Sequence, residues 1–249
     1  MPGDTLFDTI EINGDSCQKM GVPVCEDRPV RVYLNGALAG SFETCPSDLR
    51  DLACGFFIAE GLVAGTGDLA SVDVRGMDVF VTAGTGVARP PAQNEGFELD
   101  AKVLIERYYF MDDCSPLRMR TWGNHSAAIF TTAGGLVAFA EDAQRQGCIC
   151  KAIGKAASAG YKPGGCFLMA TGRTSPWVVA AVRRAGMPLV ASFGVPSAKA
   201  VESARSSGIT LVTIDGLARA IIYSGAERIS GLPEASSVYE SVAGAVNYR

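Results

Sequence analysis

The sequence lacks the ligand patterns of a zinc-binding protein. It has one histidine, His125, and none of its eight cysteines forms a Cys-x-x-Cys pair. Structural zinc sites draw their ligands from closely spaced cysteines and histidines, so we expect neither zinc nor another metal site. Most of the cysteines should then be small, buried side chains of a protein in a reducing compartment.

Long apolar runs and an excess of basic residues are missing as well. No apolar run approaches the ~18 residues that a membrane-spanning helix needs. The first residues, MPGDTLFDTIEINGD, are acidic where a signal peptide would be basic and then apolar. Twenty-two basic residues against 26 acidic ones give no electrostatic case for nucleic acid. We therefore expect a soluble, cytoplasmic protein that binds neither membrane nor nucleic acid.

Hydrophobic residues make up 48% of the 249, which excludes a disordered chain. In residues 30–44, two alternating segments flank Asn35-Gly36, a strong hairpin-turn signal. Ser47 or Asp48 can then cap a helix over 49–62. The following segments are predicted as a hairpin over 69–82, a loop rich in glycine and proline over 83–96, and a helix over 98–110.

The second half predicts a hairpin followed by alternating helices and strands. The hairpin runs from His125 to Asp142 around Gly134-Gly135. Helices are predicted near 145–159, over 175–186 and over 197–207, and strands over 166–171, 188–193 and 209–214. Near-continuous apolar strands separated by helices are typical of a parallel sheet covered on both faces. We predict an α/β fold with a small α+β lobe over 1–97 and an α/β domain over 98–249.

Four candidate ligand residues lie at or just after the end of the strand predicted over 166–171. Thr171, Gly172 and Arg173 lie at its carboxyl end, and Ser175 lies where the next helix begins. Ligands of open α/β sheets bind at such ends, and a helix N-terminus beside an arginine suits a phosphate. The alternative, which the residues support equally, is that Ser175 only caps the helix and Arg173 is solvated.

Acidic and basic residues meet after the predicted hairpin. Glu141 and Asp142 end its second strand, and Arg145 and Lys151 follow. They can bind a polar ligand, although an exposed ion pair is the commoner arrangement. His125 can be an acid–base group or a ligand contact, but without a visible carboxylate partner a structural role is favoured.

Three cysteines are candidate reactive thiols. Cys148 and Cys150 lie near a predicted helix start, where the dipole and the neighbouring Arg145 and Lys151 would lower a thiol pKa. Residues two apart do not face each other on a helix, which makes the two cysteines poor partners for one disulfide. Cys114 lies in a turn before Pro116.

The ordered set of these segments resembles the FdhD family of formate dehydrogenase accessory sulfurtransferases, from about residue 30 to 229. The matching pieces are PSDLRDLACGFFIAEGL (46–62), T-x-G-x-H-x-A-A (121–128), ED-x-x-R (141–145), K-x-I-G (151–154), TGRTS (171–175), GVPS (194–197), AVE (200–202), GITLV (208–212) and ERI (227–229).

The resemblance implies a cytidine-deaminase-like three-layer α/β/α sandwich, commonly dimeric, without deaminase chemistry because the zinc signature is absent. It implies a sulfur carrier that takes a persulfide from a cysteine desulfurase. The sulfur passes to the molybdenum (or tungsten) bis-pterin guanine dinucleotide cofactor of formate dehydrogenase, which the protein also binds. By position, the implied cofactor-binding residues are His125, Glu141, Asp142, Arg145, Thr171, Gly172, Arg173, Ser175 and Ser197.

The chain departs from the family where sulfur should be carried. The family's Cys-x-x-Cys loop corresponds to TAGTGVARPPAQ (82–93), which contains no cysteine, and its EDVGRHN reads EDAQRQG here. A persulfide needs a thiolate sulfur. Either another cysteine, Cys148, Cys150 or Cys114, carries the sulfur, or the protein is a non-catalytic maturation chaperone that binds the pterin dinucleotide.

Overall fold

The computed structural model describes residues 4–84, 96–216 and 219–233, which form a mixed α/β structure. The strands are β1 (Asp4–Asn13), β2 (Ser16–Cys25), β3 (Arg28–Leu34), β4 (Ala37–Thr44), β5 (Leu69–Arg75), β6 (Asp78–Ala83), β7 (Leu99–Asp100), β8 (His125–Thr131), β9 (Leu136–Asp142), β10 (Cys166–Arg173), β11 (Leu189–Gly194), β12 (Thr210–Ile214), β13 (Ala220–Ser224) and β14 (Ile229–Ser230). The α-helices are α1 (Leu49–Ala59), α2 (Ala101–Asp113), α3 (Pro116–Thr121), α4 (Arg145–Ser158), α5 (Pro176–Arg184) and α6 (Ala198–Ser207). Within these ranges, no helix combines the length and apolarity needed to cross a membrane.

The chain begins with a hairpin, β1–β2, that the sequence patterns did not predict. Phe7, Ile10 and Ile12 are all largely exposed on it. Because apolar side chains occur on both of its faces, the alternation that identifies a half-buried strand is absent. An ion pair between Asp4 and Arg120 of α3, 3.1 Å long, links the hairpin to the rest of the molecule.

The predicted hairpins over 30–44 and 69–82 are confirmed, and together they form a sheet of order β4-β3-β6-β5. Asn35 and Gly36 have φ values of 49° and 85°, the positive values that a type I′ turn requires. Asp48 occupies the N-cap position of α1, but the predicted side-chain cap is wrong. Its carboxylate instead pairs with Lys155 of α4 at 2.8 Å.

The large sheet has the order β13-β12-β11-β10-β8-β9. The three strands predicted to be parallel, β10, β11 and β12, are parallel, and the sheet as a whole is mixed because β8, β9 and β13 join it as antiparallel neighbours. The reason is connection length: β8 and β9 are joined by a short turn, and β13 follows β12 after a short link. Short connections allow only antiparallel neighbours, whereas parallel strands need a crossover.

Helices cover both faces of the large sheet. On one face, Leu168 and Val190 share an apolar cluster with buried residues of α1, α4, α5 and α6. On the other face, Phe167 and Met169 share a second cluster with Leu104 of α2. The cytidine-deaminase-like layering stays a prediction, while the α/β class with helices on both sheet faces is observed.

Helix α1 packs directly against α4, although the predicted boundary at residue 97 separates them. Gly55 of α1 lies against the Cys150 carbonyl of α4, and Gly154 of α4 lies against the Asp51 carbonyl of α1. A side chain at either glycine would overlap the opposite backbone. One apolar cluster therefore spans both predicted domains, and the division at residue 97 stays a prediction.

Candidate functional site

Five of the predicted ligand residues meet at the carboxyl end of β10. The His125 Nδ1 lies 3.1 Å from the Thr171 hydroxyl, which also accepts a hydrogen bond from the Ser126 backbone N–H at 3.0 Å. The Arg145 guanidinium donates to the carbonyl oxygen of Arg173. We call His125, Arg145, Thr171, Gly172 and Arg173 the sheet-end cluster.

Gly172 allows the other members of this cluster to approach one another. Its φ of 80° lies in the left-handed region that favours glycine. A Cβ atom there would lie 3.3 Å from both the Arg145 Cδ and the His125 Cε1, tighter than ordinary van der Waals contact. The turn at Gly172 thus lets the arginine and the imidazole sit against the backbone where β10 ends.

The charges of the sheet-end cluster come from its arginines rather than from its histidine. Burial lowers the pKa of His125, and the positive charges of Arg145 and Arg118 lower it further, against an opposing effect of Asp142. Since the ordinary value is already below 7, the imidazole is neutral at pH 7. The Arg145 side chain is half-buried and Arg173 is exposed, which leaves two fixed cations for an anionic ligand.

Ser175 and Ser197 lie beside this cluster at the starts of α5 and α6. Ser175 makes no side-chain capping bond, whereas the Ser197 hydroxyl accepts a hydrogen bond from Ala200 N–H. The Ser197 N–H donates to the Thr174 carbonyl at 3.1 Å and so holds the two helix starts together. The Thr174 hydroxyl is buried, and within the described ranges it has no hydrogen-bond partner.

Glu141, a predicted ligand residue, is held by protein donors. Its carboxylate accepts hydrogen bonds from the backbone N–H groups of Leu117 and Arg118, both at 3.1 Å, and from the Asn124 amide at 2.9 Å. These backbone groups belong to the first turn of α3, whose own N-cap, Ser115, makes no side-chain cap. Glu141 therefore caps α3 from a neighbouring strand.

Replacing Glu141 by alanine should lower the free energy of unfolding by about 1–2 kcal/mol, the usual loss for a helix cap. Urea denaturation monitored by circular dichroism measures the change. The matched control is Glu227→Ala, since that side chain is 74% exposed and its ion pair with Arg228 spans 3.6 Å. The control should change stability by less than about 0.5 kcal/mol. Equal effects at both positions would contradict the capping role.

Asp142, also a predicted ligand residue, lies in a buried ion pair. Its carboxylate contacts the Lys151 ammonium at 2.6 Å, and both side chains are 0% exposed. It also accepts hydrogen bonds from the Thr44 hydroxyl and from Gln144 N–H. The expectation of an exposed ion pair here is wrong, because β4 of the small sheet covers this end of β9. Asp142 connects the small sheet to α4.

Cys148 and Cys150, two of the three candidate sulfur carriers, are wholly buried. Burial raises the pKa of both thiols, with the charge of Asp142 adding to the effect. The expectation that the helix start and Lys151 would lower these pKa values is wrong, since desolvation outweighs both and Lys151 is committed to Asp142. Cys114, the third candidate, is exposed at the end of α2. Their assignment as carriers stays a prediction.

The structure brings together a pair of cysteines that no sequence pattern indicated. Cys25 ends β2 and Cys45 follows β4, and their sulfur atoms lie 3.2 Å apart. Twenty residues separate them in sequence, and no spacing rule connects them. The predicted position of the family's Cys-x-x-Cys loop falls largely on residues 85–95, outside the described ranges.

Comparisons with known proteins point to one family. The model of the FdhD/NarQ family matches residues 25–96 and 82–230. A sulfur carrier protein FdhD from Streptomyces avermitilis is 29% identical over 248 residues, covering 82% of this chain and 88% of the relative. The protein of the same name from Methanothermobacter thermautotrophicus is 26% identical, covering 86% of this chain and 94% of the relative.

One solved structure shares the fold. It is a crystal structure of a protein named as a formate dehydrogenase accessory protein, from Desulfotalea psychrophila. The TM-score is 0.80 at 23% sequence identity, and the match covers 92% of this chain and all of that one.

Proposed function

Because the chain belongs to the FdhD/NarQ family, we propose that it is a sulfur carrier needed for formate dehydrogenase activity. In this proposal it receives sulfur as a persulfide from a cysteine desulfurase. It passes the sulfur to the molybdenum (or tungsten) bis-pterin guanine dinucleotide cofactor, which it binds as its cargo. The chain acts in the cytoplasm as a homodimer.

The sheet-end cluster is the observation that supports binding of the pterin dinucleotide. The bis-pterin guanine dinucleotide carries two anionic diphosphate groups, each attached to a guanosine. The cluster offers the guanidinium groups of Arg145 and Arg173 to bind them. The starts of α5 and α6 lie alongside, and the positive end of a helix dipole favours an anionic ligand. The buried Thr174 hydroxyl, which lacks a protein partner within the described ranges, is a further polar group for a ligand. These residues fit a phosphate-bearing ligand.

The roles within the cluster follow from its contacts. Arg145 and Arg173 would neutralise the diphosphate, since guanidinium groups match phosphate geometry. The neutral His125 would act as a hydrogen-bonding group, with its ring held by Thr171. Glu141 and Asp142 would act indirectly, since Glu141 holds α3 and Asp142 holds the start of α4, on which Arg145 lies.

The test is complementation of a bacterial strain whose own family member has been deleted. The chain should restore formate dehydrogenase activity, and Arg145→Ala combined with Arg173→Ala should reduce the restored activity at least tenfold, because the cargo loses its two cations. The control is Arg75→Ala, on an exposed strand of the small sheet, with each protein quantified by immunoblot. Wild-type failure to restore activity, or full activity of the double variant, would contradict the proposal.

The alternative is a maturation chaperone that binds the pterin dinucleotide and transfers no sulfur. It is favoured by the absence of cysteine from residues 82–93 and by the burial of Cys148 and Cys150. GDP, used as a probe for the guanine diphosphate end, should bind under both functions. A variant with serine at all eight cysteine positions separates them: the sulfur carrier loses complementation, whereas the chaperone keeps it.

A further inference from the structure

The Cys25–Cys45 pair has the contacts of a thiol beside a thiolate. The two sulfur atoms lie 3.2 Å apart, within reach of an S–H···S hydrogen bond. The Ala143 backbone N–H also donates to the Cys45 sulfur at 3.2 Å. The S–H···S bond can run in either direction, but the Ala143 N–H donates to Cys45 alone, so the ionised form is favoured at Cys45 with Cys25 as the second donor.

The electrostatic surroundings act unequally on the two sulfurs. The hydrogen bond from Cys25 lowers the pKa of Cys45, and Ala143 N–H and the Lys151 charge act in the same direction, against burial and Asp142. The same contact, together with burial, raises the pKa of Cys25. Cys45 is thus the nucleophilic member of the pair, and Cys25 keeps its proton.

A cavity gives access to Cys45, although its side chain is almost wholly buried. The cavity has a volume of about 330 Å³ and is lined by Cys45 and Cys114, with Arg120, Lys155 and Glu141 among the other residues. Cys148 and Cys150 do not line it. A small persulfide, or the persulfide-bearing end of a protein segment, can be accommodated in this volume. The exposed Cys114 marks the entrance of the cavity, and the buried Cys45 lies where an inner acceptor of sulfur would be.

We infer that Cys45 is the residue that accepts sulfur in this chain, with Cys25 as its hydrogen-bonding partner. This assignment rests on the proposed carrier function and places the persulfide on a residue outside the segment 82–93, which contains no cysteine. The Cys45 thiolate attacks the terminal sulfur of a donor persulfide, R–S–SH. An S–S bond forms on Cys45, the donor S–S bond breaks, and the donor leaves as the thiolate R–S⁻. The proton stays on the transferred sulfur, so no oxidant or reductant is consumed.

The test is peptide mapping of the reduced, full-length chain after incubation with glutathione persulfide and alkylation. Sulfur, seen as a mass increase of about 32 Da, should be found on the peptide that contains Cys45. Cys45→Ser should remove this adduct, whereas Cys17→Ser, an exposed cysteine on the hairpin, should leave it unchanged. Cys25→Ser should slow the loading roughly tenfold, the effect of a pKa raised by one unit.

A second measurement needs no variant. In the unmodified chain, the Cys45 peptide should react with iodoacetamide at pH 7 at least tenfold faster than the Cys148 peptide. Sulfur on Cys114, Cys148 or Cys150 with none on Cys45 would overturn the assignment and leave the carrier function intact. Sulfur on no cysteine would overturn both. A Cys25–Cys45 disulfide that dithiothreitol reduces only after unfolding would also overturn the assignment, because the pair would then be a structural cross-link.

Discussion

Replacing Lys151 by methionine should lower the free energy of unfolding by about 3–5 kcal/mol. The change removes the ammonium group that lies 2.6 Å from the Asp142 carboxylate, in a site with no solvent exposure. A buried carboxylate that has lost its cation destabilises the folded state, and removing one member of such a pair typically lowers stability by about this amount. The remaining donors, Thr44 and Gln144, only partly compensate. Urea denaturation at pH 7 measures the loss.

The same helix supplies the matched control. Lys155, one turn further along α4, pairs with Asp48 at 2.8 Å, but these two side chains are 31% and 39% exposed. Lys155→Met should therefore lower stability by no more than about 1 kcal/mol. Both variants remove a lysine ammonium from the same helix and from a carboxylate at nearly the same distance. The difference between their losses in free energy of unfolding therefore measures the effect of burial. Similar losses for both would show that the Asp142–Lys151 pair is hydrated in solution.

Replacing Gly55 by alanine should lower the free energy of unfolding by about 3 kcal/mol. In an isolated helix the change would be favourable, since alanine has the higher helix propensity. Here the new Cβ would overlap the Cys150 carbonyl of α4, which is backbone and cannot rotate away. The two helices would have to separate, and overpacking of a dense core typically has an effect of about 1–3 kcal/mol or more.

Gly67→Ala is the control for this change. Gly67 lies in a short helical turn over Thr66–Asp68, and a Cβ there would meet no atom within 4 Å. Stability should change by less than about 0.5 kcal/mol. Thermal unfolding followed by circular dichroism compares the two variants directly. A neutral or stabilising effect of Gly55→Ala would mean that α1 and α4 are further apart than the structure shows.

The sequence predicted those parts of the fold that depend on neighbouring residues. The turn at Asn35-Gly36 was predicted correctly because positive φ values at two adjacent positions leave few residue choices. The parallel direction of β10, β11 and β12 was predicted correctly from apolar strands separated by helices, whereas β13 was missed because the predicted elements ended at residue 214. The hairpin β1–β2 was missed because its apolar residues follow no single face.

In the candidate site, too, the residues that lie close together in sequence were predicted, and the contacts between distant segments were not. Thr171, Gly172 and Arg173 were found because they follow one strand, and the structure brings His125 and Arg145 to them. The scaffold roles of Glu141 and Asp142 depend on α3 and β4, which are distant in sequence. Cys25 and Cys45 were not singled out, since their contact exists only where β2 and β4 end together.

The contact between α1 and α4 also bears on how the chain is made. A ribosome adds roughly 5–20 residues per second, and roughly 90 residues separate the end of α1 from the start of α4. Helix α1, whose apolar residues share one cluster with those of α4, is therefore synthesised roughly 5–20 seconds before α4. During that interval the nascent chain presents a surface of the kind that ribosome-associated chaperones bind.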